Sequence, residues 1–389
     1  MGRSSLEAWN LCGIVSAPAP AGVFLLAVGV LNLLLAATPV MAEDVVLRCA
    51  PTFVDRPAAL DWSVTGVSQV SNDDAADPDA TGSFDAVGHM RAGPGLLLVQ
   101  AEGSTSENRG RVSGQFPLAN ADAATAVDED GDGRIQLSQV NYTQVNETFA
   151  FAAGLLDPSC YLDFSDIAND ETRDFLAQPF TNNLAIAFPD YTLGGAVHLH
   201  LEQALGLTLF LSSSNGLGDN DKASYSNLVD VTDSDKGVFA AAELTVHGVV
   251  NYRLGIWVNS RDFENLDNPD DTDIDYGVYG SLESDARPLG WNIRIGAANP
   301  DVSETAGFAA ATITFPLGEH TAGLGVSYQH AADDLDSDSD YAVFTEALLH
   351  FDVGEKLRFT PLLQWTHNDS FTSNDALIAA LRVTYASSH

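Results

Sequence analysis

The chain has 389 residues with 54 acidic and 17 basic side chains, so its formal net charge is −37, although 45% of its residues are hydrophobic and its mean hydropathy is +0.01. This charge excludes an ordinary nucleic-acid-binding protein, because phosphates would be repelled, and the apolar content is too high for a disordered chain. Only one stretch could span a bilayer as a helix, which leaves an acidic soluble protein or a β-barrel whose apolar residues alternate with polar ones.

That long apolar stretch lies near the N-terminus, over residues 21–38, and is followed by Val40-Met41-Ala42. Small residues at this spacing after an apolar run are typical of signal-peptide cleavage. We therefore predict a cleaved secretory signal peptide over residues 1–42, with an uncleaved helix as the alternative. Cleavage leaves Cys49 and Cys160, which either form one disulfide bond or remain two independent thiols.

The rest of the chain alternates apolar with polar or small residues, as strands with two different faces do. In the last segment Leu377, Leu381 and Tyr385 share one face, and Ile378 and Arg382 lie on the other. Sixteen such segments begin near Leu60, Phe84, Gly95, Arg134, Thr148, Asp190, Leu205, Val238, Asn251, Ile274, Leu289, Phe308, His320, Tyr341, Lys356 and Asp375.

The connections between these segments alternate between short and long. An even number of strands with short turns at one end and long loops at the other is typical of an outer-membrane barrel, whereas a soluble β-sandwich has no reason to sort its loops by end. We predict an all-β fold, a single transmembrane antiparallel up-and-down β-barrel over residues 59–389, preceded by an N-terminal periplasmic or lumen segment over residues 43–58. The long connections are 71–81, 102–133, 157–189, 215–237, 261–273, 299–307, 331–340 and 367–374.

Most of the net charge falls in the long connections, which contain 36 acidic and six basic residues. One interpretation is a solvated rim bathed in divalent cations, and the other is a funnel that attracts cations. The segments themselves place charges of both signs on the predicted lumen face, which suits polar neutral solutes more than a strongly cation-selective channel. These lumen residues are Arg253, Arg294, Lys356, Arg358, Arg382, Glu202, Glu243, Asp275, Glu283 and Glu346.

One acidic stretch resembles a calcium-binding loop. Asp128, Asp130 and Asp132, followed by Gly133, match the first positions of an EF-hand loop, but Gln139 replaces the bidentate glutamate at its twelfth position. The stretch is either a weak Ca²⁺ site in an outer loop or an acidic turn before the fourth strand. Apart from this calcium, the sequence predicts no cofactor.

Residues 135–192 resemble the carbohydrate-selective porins of the OprB type. The similarity lies in residues 154–158 (Gly-Leu-Leu-Asp-Pro), 168–172 (Ala-Asn-Asp-Glu-Thr), 188–191 (Phe-Pro-Asp-Tyr) and, further on, 251–257 (Asn-Tyr-Arg-Leu-Gly-Ile-Trp). It extends from about residue 134 to 385. The resemblance implies a barrel of 16 strands in the outer membrane that passes sugars by facilitated diffusion.

Two sets of site residues follow. Arg253, Trp257 and Asn259 share the lumen face of one strand, where a guanidinium could bind hydroxyl groups and an indole could stack on a sugar. In the alternative, Trp257 belongs to an interfacial belt and Arg253 pairs with a lumen carboxylate.

The connection 157–189 is long enough to fold inward, with a short helix beginning at Asn169 or Asp170. We predict that it forms the constriction, and that the solute contacts Asp170, Glu171, Arg173, Arg294, Arg358, Arg382, Glu346 and Glu243.

The sequence contains no motif for a nucleophile and its base, so we predict a channel and no enzyme. The predicted function is an outer-membrane porin for carbohydrates or other small polar solutes. The alternative is a structural or adhesive barrel whose acidic loops bind divalent cations and surface glycans. The predicted location is the bacterial outer membrane. The predicted partners are sugars, membrane lipid, lipopolysaccharide and the barrel-assembly machinery, with no nucleic acid, and the protein is a homotrimer or a monomer.

Overall fold

The computed structural model describes residues 57–202, 204–220, 224–232, 236–284 and 288–387. Sixteen strands form one closed barrel, as predicted. The signal peptide, Cys49 and most of the segment 43–58 lie outside the described residues. The strands are β1 (Ala58–Ser71), β2 (Asp79–Ala92), β3 (Gly95–Ser104), β4 (Ile135–Val145), β5 (Phe149–Leu156), β6 (Thr192–Glu202), β7 (Leu205–Ser213), β8 (Val238–Val246), β9 (Asn251–Glu264), β10 (Thr272–Ser284), β11 (Gly290–Ala298), β12 (Thr305–Leu317), β13 (His320–Ala331), β14 (Tyr341–Val353), β15 (Leu357–His367) and β16 (Ala376–Ala386).

Every strand pairs antiparallel with its neighbours in sequence, and β1 pairs with β16 to close the barrel, with Ser63 opposite Ala386 and Ser71 opposite Ile378. Closure leaves no strand edge with unpaired backbone groups, which an apolar environment requires. The connections are sorted by length as predicted, so the barrel has a short-turn end and a long-loop end. No helix in the described ranges is both long and apolar enough to cross a membrane. The helical turns are Val112–Gln115, Pro117–Ala119, Pro158–Cys160, Gln178–Thr181, Tyr225–Val229 and Asp369–Phe371.

The side chains of each strand alternate between the interior and the outer surface. In β16, Leu381 is 43% exposed on the outer wall, whereas its neighbour Arg382 is fully buried inside. The strand β2 begins at Asp79, five residues before the predicted position near Phe84. Its first outward residues, Ala80 and Gly82, carry too little apolar surface for the alternation to be visible in the sequence.

The interior is filled in part by the chain itself. Two long connections, residues 105–134 and 157–191, fold inward and pack on the wall. Phe180 contacts Phe175 and Phe344, with ring centroids 5.4 and 6.2 Å apart, and it lies so close to Gly325 that a Cβ there would be 2.9 Å from its ring. The largest buried apolar cluster in the described chain therefore lies inside the barrel, and it includes Phe116, Leu176, Leu348, Leu362 and Ile378.

We expect Phe180→Ala to lower the free energy of unfolding by about 3–5 kcal/mol, because it removes a buried ring from this cluster and leaves a cavity. Guanidinium unfolding of the detergent-solubilised barrel, followed by tryptophan fluorescence, measures the change. Val353→Ala is the control, since Val353 is exposed near the short-turn end and its truncation should cost less than about 0.5 kcal/mol. Equal losses in the two variants would contradict the packing described here.

Candidate functional site

The connection 157–191 crosses the barrel interior, and Arg294 of β11 holds both of its halves. The Arg294 Nη1 atom donates to the carbonyl oxygens of Phe180 and Thr181 at 2.8 and 3.1 Å. Its Nη2 atom donates to the Asp163 carbonyl at 3.0 Å and to Asn169 Oδ1 at 2.9 Å, and its Nε atom lies 3.2 Å from Asp163 Oδ2. This one buried guanidinium thus binds residues from the beginning, middle and end of the connection.

Arg382 of β16 holds the middle of the same connection. It donates to the carbonyl oxygens of Glu171 and Asp174, and Thr384 Oγ1 donates to the Thr172 carbonyl at 3.0 Å. Residues 170–174 form a turn in which the Asp170 carboxylate accepts the N–H groups of Thr172 and Arg173. The short helix predicted here is absent, because Arg382 binds two carbonyl groups that the helix would have used. The connection forms its one-turn helix at Gln178–Thr181 instead.

Carboxylates on the wall accept the N–H groups of the connection. Glu346 of β14 accepts the N–H groups of Leu176 and Ala177, both at 2.9 Å, and Glu243 of β8 accepts the N–H of Asp163 at 2.7 Å. Backbone groups buried away from water need such partners. Charged wall residues that the sequence assigns to solute binding therefore bind the chain's own backbone.

Not every predicted lumen residue lies inside. Lys356 and Glu202 are exposed at the short-turn end, where the last strand residues and the turns leave the wall. This corrects their predicted position. Arg358 lies at the same end, where it forms an ion pair with Asp352 at 2.6 Å and donates to the Arg173 carbonyl at 3.4 Å.

The residues Arg253, Trp257 and Asn259 lie inside the barrel on β9. Trp257 is 3% exposed and stacks on Phe239, with centroids 6.2 Å apart, so it does not belong to a lipid-facing belt. Asn259 Nδ2 donates to the Ala187 carbonyl at 3.2 Å. Arg253 is 5% exposed; its Nη atoms have no hydrogen-bond acceptor, and Glu283 Oε1 lies 3.9 Å from Nη2. The inward connection covers Trp257, whereas Arg253 retains donors for a polar group.

The second inward connection, residues 105–134, was not expected from the sequence. Asn120 Nδ2 donates to Gln69 Oε1 and to Thr81 Oγ1, both at 3.0 Å, and the Ala121 N–H donates to the Leu176 carbonyl at 2.9 Å. The two connections therefore touch inside the barrel. The length of 105–134, similar to that of 157–191, was the feature of the sequence that could have predicted its inward fold, since long loops without secondary structure of their own are uncommon unless they have a role.

A cavity of about 470 Å³ lies between residues 157–174 and the opposite wall. Its lining includes Trp62 and Ser387, which lie near the short-turn end, and Glu102 and Tyr191, which lie near the long-loop end. It therefore follows the wall between the two ends of the barrel. Arg173 is the basic residue in the lining, and the acidic ones are Asp61, Asp85, Glu102, Asp157, Asp166, Asp170, Glu171 and Asp174.

Burial changes the acidity of carboxyl groups in the inward connections. Burial, and then the neighbouring Asp170 carboxylate, raise the pKa of Asp174 to about 7. The same two causes raise the pKa of Glu171 well above its ordinary value. Burial raises the pKa of Asp163 to about 7, although the Arg294 guanidinium opposes this effect. Asp174 lines the cavity and ionises as the pH rises through neutrality, so the cavity becomes more negative with increasing pH.

The stretch around Asp128 forms a tight turn. The Asp128 carboxylate accepts the N–H groups of Asp130 and Asp132, both at 3.0 Å, and Gly131 has a φ of +80°, a left-handed conformation that favours glycine. In the described ranges no group of three or more His, Cys, Asp or Glu side chains is arranged to hold a metal ion. Calcium binding at Asp128, Asp130 and Asp132 remains a prediction from the sequence pattern.

Solved structures of bacterial channels are similar to this barrel. The high-pH structure of OprB from Pseudomonas putida superposes with a TM-score of 0.65 at 13% identity, covering 87% of this chain and 96% of that one. The fold is that of a porin. The outer-membrane channel DcaP of Acinetobacter baumannii gives a TM-score of 0.52 at 12% identity over 85% of this chain and 96% of its own, and a variant of the Rh. blastica porin gives 0.51 at 11% over 85% and 99%.

No family model matches the chain, and no curated protein sequence is significantly similar to it. The solved structures confirm the resemblance to OprB-type porins at the level of the fold.

We expect Arg294→Gln to release the connection 157–191 from the wall, because the substitution leaves the Asp163 carboxylate and several carbonyl groups buried without their partner. Removing one partner of a buried ion pair lowers the stability of a protein by about 3–5 kcal/mol. Limited proteolysis of the detergent-solubilised protein, with the cleavage sites read by mass spectrometry, measures the release. Lys236→Gln is the matched control, since Lys236 pairs with Asp230 at the surface. Equal protection of the connection in Arg294→Gln and in the control would show that Arg294 does not hold it.

Proposed function

We propose that this chain is an outer-membrane porin through which carbohydrates and other small polar solutes diffuse. The observation that carries the proposal is the polar cavity that follows the wall of a closed barrel beside an inward-folded connection. The outward apolar residues match the hydrocarbon of a membrane, and the hydrogen-bonding groups of the cavity match water and hydroxylated solutes. In the outer membrane the short turns of the barrel would face the periplasm, and the long acidic loops would face the exterior of the cell. Export uses the signal peptide of residues 1–42.

The acidic lining favours neutral and cationic solutes over anions. Carboxyl groups accept hydrogen bonds from hydroxyl groups, so Asp170 and Glu171 can bind a sugar, while the charged carboxylates of the lining repel a phosphate or a carboxylate. Arg173 in the same lining supplies donors. We propose that the channel carries out diffusion without a catalytic step, and that lipid, lipopolysaccharide and the barrel-assembly machinery are its partners in the membrane, where it is a homotrimer or a monomer.

Planar-bilayer recording tests this function. We expect the purified protein to form channels whose ion current falls when mono- or disaccharides are added, because a sugar in the cavity displaces water and ions. The double variant Asp170→Asn, Glu171→Gln should weaken the sugar block. Asp338→Asn is the control, because Asp338 lies exposed in the connection between β13 and β14.

Liposome swelling with the same sugars completes this test. If sugars neither block the current nor enter liposomes, the porin function is wrong, and a structural or adhesive barrel takes its place. Glycan binding by the intact protein, with calcium added and removed, then tests that role.

A further inference from the structure

The cavity beside the connection 157–191 has room for a small solute and a mixed lining. Its volume of about 470 Å³ is in the range of small-molecule pockets. Among the described residues that line it, eight are acidic and one, Arg173, is basic, while Phe164 and Val87 add apolar surface. Carboxylates accept hydrogen bonds from hydroxyl and ammonium groups, and an aromatic ring packs on the C–H groups of a sugar. The lining therefore suits a hydroxylated solute that carries a positive charge.

The buried bases of the wall do not offset this acidic lining. Arg294 and Arg382 are 1% and 0% exposed, and both donate to carbonyl groups of the connection. Neither belongs to the residues that line the cavity. Arg173 does line it, but its side chain is exposed, and water and salt screen an exposed charge. The negative charge of the cavity is therefore available to a solute.

A buried carboxylate beside the cavity has one oxygen that can still accept a donor. Asp122, in the inward connection 105–134, is 2% exposed. Its Oδ1 atom accepts the Ser83 hydroxyl of β2 at 2.6 Å, whereas its Oδ2 atom has no hydrogen-bond partner in the described chain. Burial raises the pKa of Asp122 to about 6, although the hydrogen bond from Ser83 opposes this effect. Asp122 is therefore largely ionised at pH 7, and its Oδ2 atom is suited to a charged donor.

Asp122 lies where both inward connections approach β2. Ser83 and Asp85 are alternate residues of this strand and share its inner face, so the Asp122 carboxylate lies one strand repeat from Asp85. The Asp122 charge acts on the carboxyl groups of Asp85 and Glu171, and these two residues line the cavity. Carboxyl groups from three segments thus converge on one side of the cavity. An ammonium group among them would offset their mutual repulsion, and it has three N–H donors to share.

We propose that the preferred solutes of this cavity are hydroxylated compounds with an ammonium group, such as amino sugars, and that Asp122, Asp85 and Glu171 bind the ammonium group. Other carboxyl groups of the lining bind the hydroxyl groups, and Phe164 packs on the carbon ring. This inference rests on the proposed porin function and gives it a substrate class.

Block of single channels at pH 7 by three related sugars tests the substrate class. Glucosamine carries the ammonium group, N-acetylglucosamine has the same nitrogen without its charge, and glucose has a hydroxyl group instead. We expect half-block by glucosamine at about tenfold lower concentration than by the other two sugars, because it adds a charge-assisted contact. Equal block by the three sugars would overturn the proposal.

Ethylammonium separates the charge from the hydroxyl groups, since it has an ammonium group and no hydroxyl. We expect it to block at about tenfold higher concentration than glucosamine, because it leaves the other lining carboxyl groups without donors. Block at the same concentration as glucosamine would show that the cavity binds cations in general, which would overturn the assignment to hydroxylated solutes.

Two substitutions test the residues. Asp122→Asn keeps the shape of the side chain and removes its charge, so the preference for glucosamine over N-acetylglucosamine should fall to about twofold. Asp369→Asn is the matched control, because Asp369 is 3% exposed, accepts the Thr366 hydroxyl at 3.1 Å and does not line the cavity. Its preference should stay at about tenfold.

Asp85→Asn tests the same point from β2 and should also lower the preference. Heat-modifiable migration on gels establishes which variants are folded, so Asp85→Asn decides the matter should Asp122→Asn not fold. A preference that is unchanged in the folded variants would overturn the assignment of the ammonium group to these residues.

The outcomes separate the two proposals. Channels that glucose and glucosamine block equally would leave the porin function in place and overturn the substrate class. Absence of any channel would contradict the porin function. Calorimetric titration of glucosamine and N-acetylglucosamine into the detergent-solubilised protein would then decide the binding, and equal affinity for the two would overturn it.

Discussion

The structure depends on the backbone of one connection finding hydrogen-bond partners inside a barrel. A chain that folds into a closed interior buries N–H and C=O groups that water no longer reaches, and each unsatisfied group is costly. Charged side chains of the wall meet this need: Arg294 and Arg382 bind carbonyl groups, and Glu346 binds two N–H groups. Burial of these charges is costly in turn unless they are paired, so wall and connection stabilise each other.

This mutual pairing separates charge within the barrel. The guanidinium groups of the wall point at backbone carbonyls, while the carboxylates of the turn 170–174 face the cavity on the other side. The net charge of −37 is therefore more than a property of the outer loops, because carboxylates of the inward connections carry part of it along the cavity. A field of one sign beside a low-dielectric wall raises the local concentration of counter-ions, and the half-buried Asp174, whose pKa is about 7, makes that field depend on pH.

The strands could be predicted from the sequence because the pleat imposes a period of two, and the membrane and the lumen impose different polarity on the two faces. The pattern fails where a face carries little information, as at Ala80 and Gly82 of β2, or where a strand ends, as at Lys356 and Glu202. The inward position of 157–191 was predictable from its length. The hydrogen-bond partners of 157–191 were not predictable, since contacts such as that of Arg294 with Phe180 join residues far apart in sequence. The inward fold of the connection 105–134 was not predicted either, because it depends on contacts of the same kind with the barrel wall.

The most direct test is whether ions cross the barrel along the acidic cavity beside the connection 157–191. This is measured by the reversal potential across a KCl gradient in planar bilayers, recorded as a function of pH. We expect a preference for K⁺ over Cl⁻ that increases between pH 5 and pH 9, as Asp174, with its pKa of about 7, loses its proton. Replacement of Asp174 by asparagine should flatten this dependence. A preference for Cl⁻, or a K⁺ preference that does not change with pH, would contradict it.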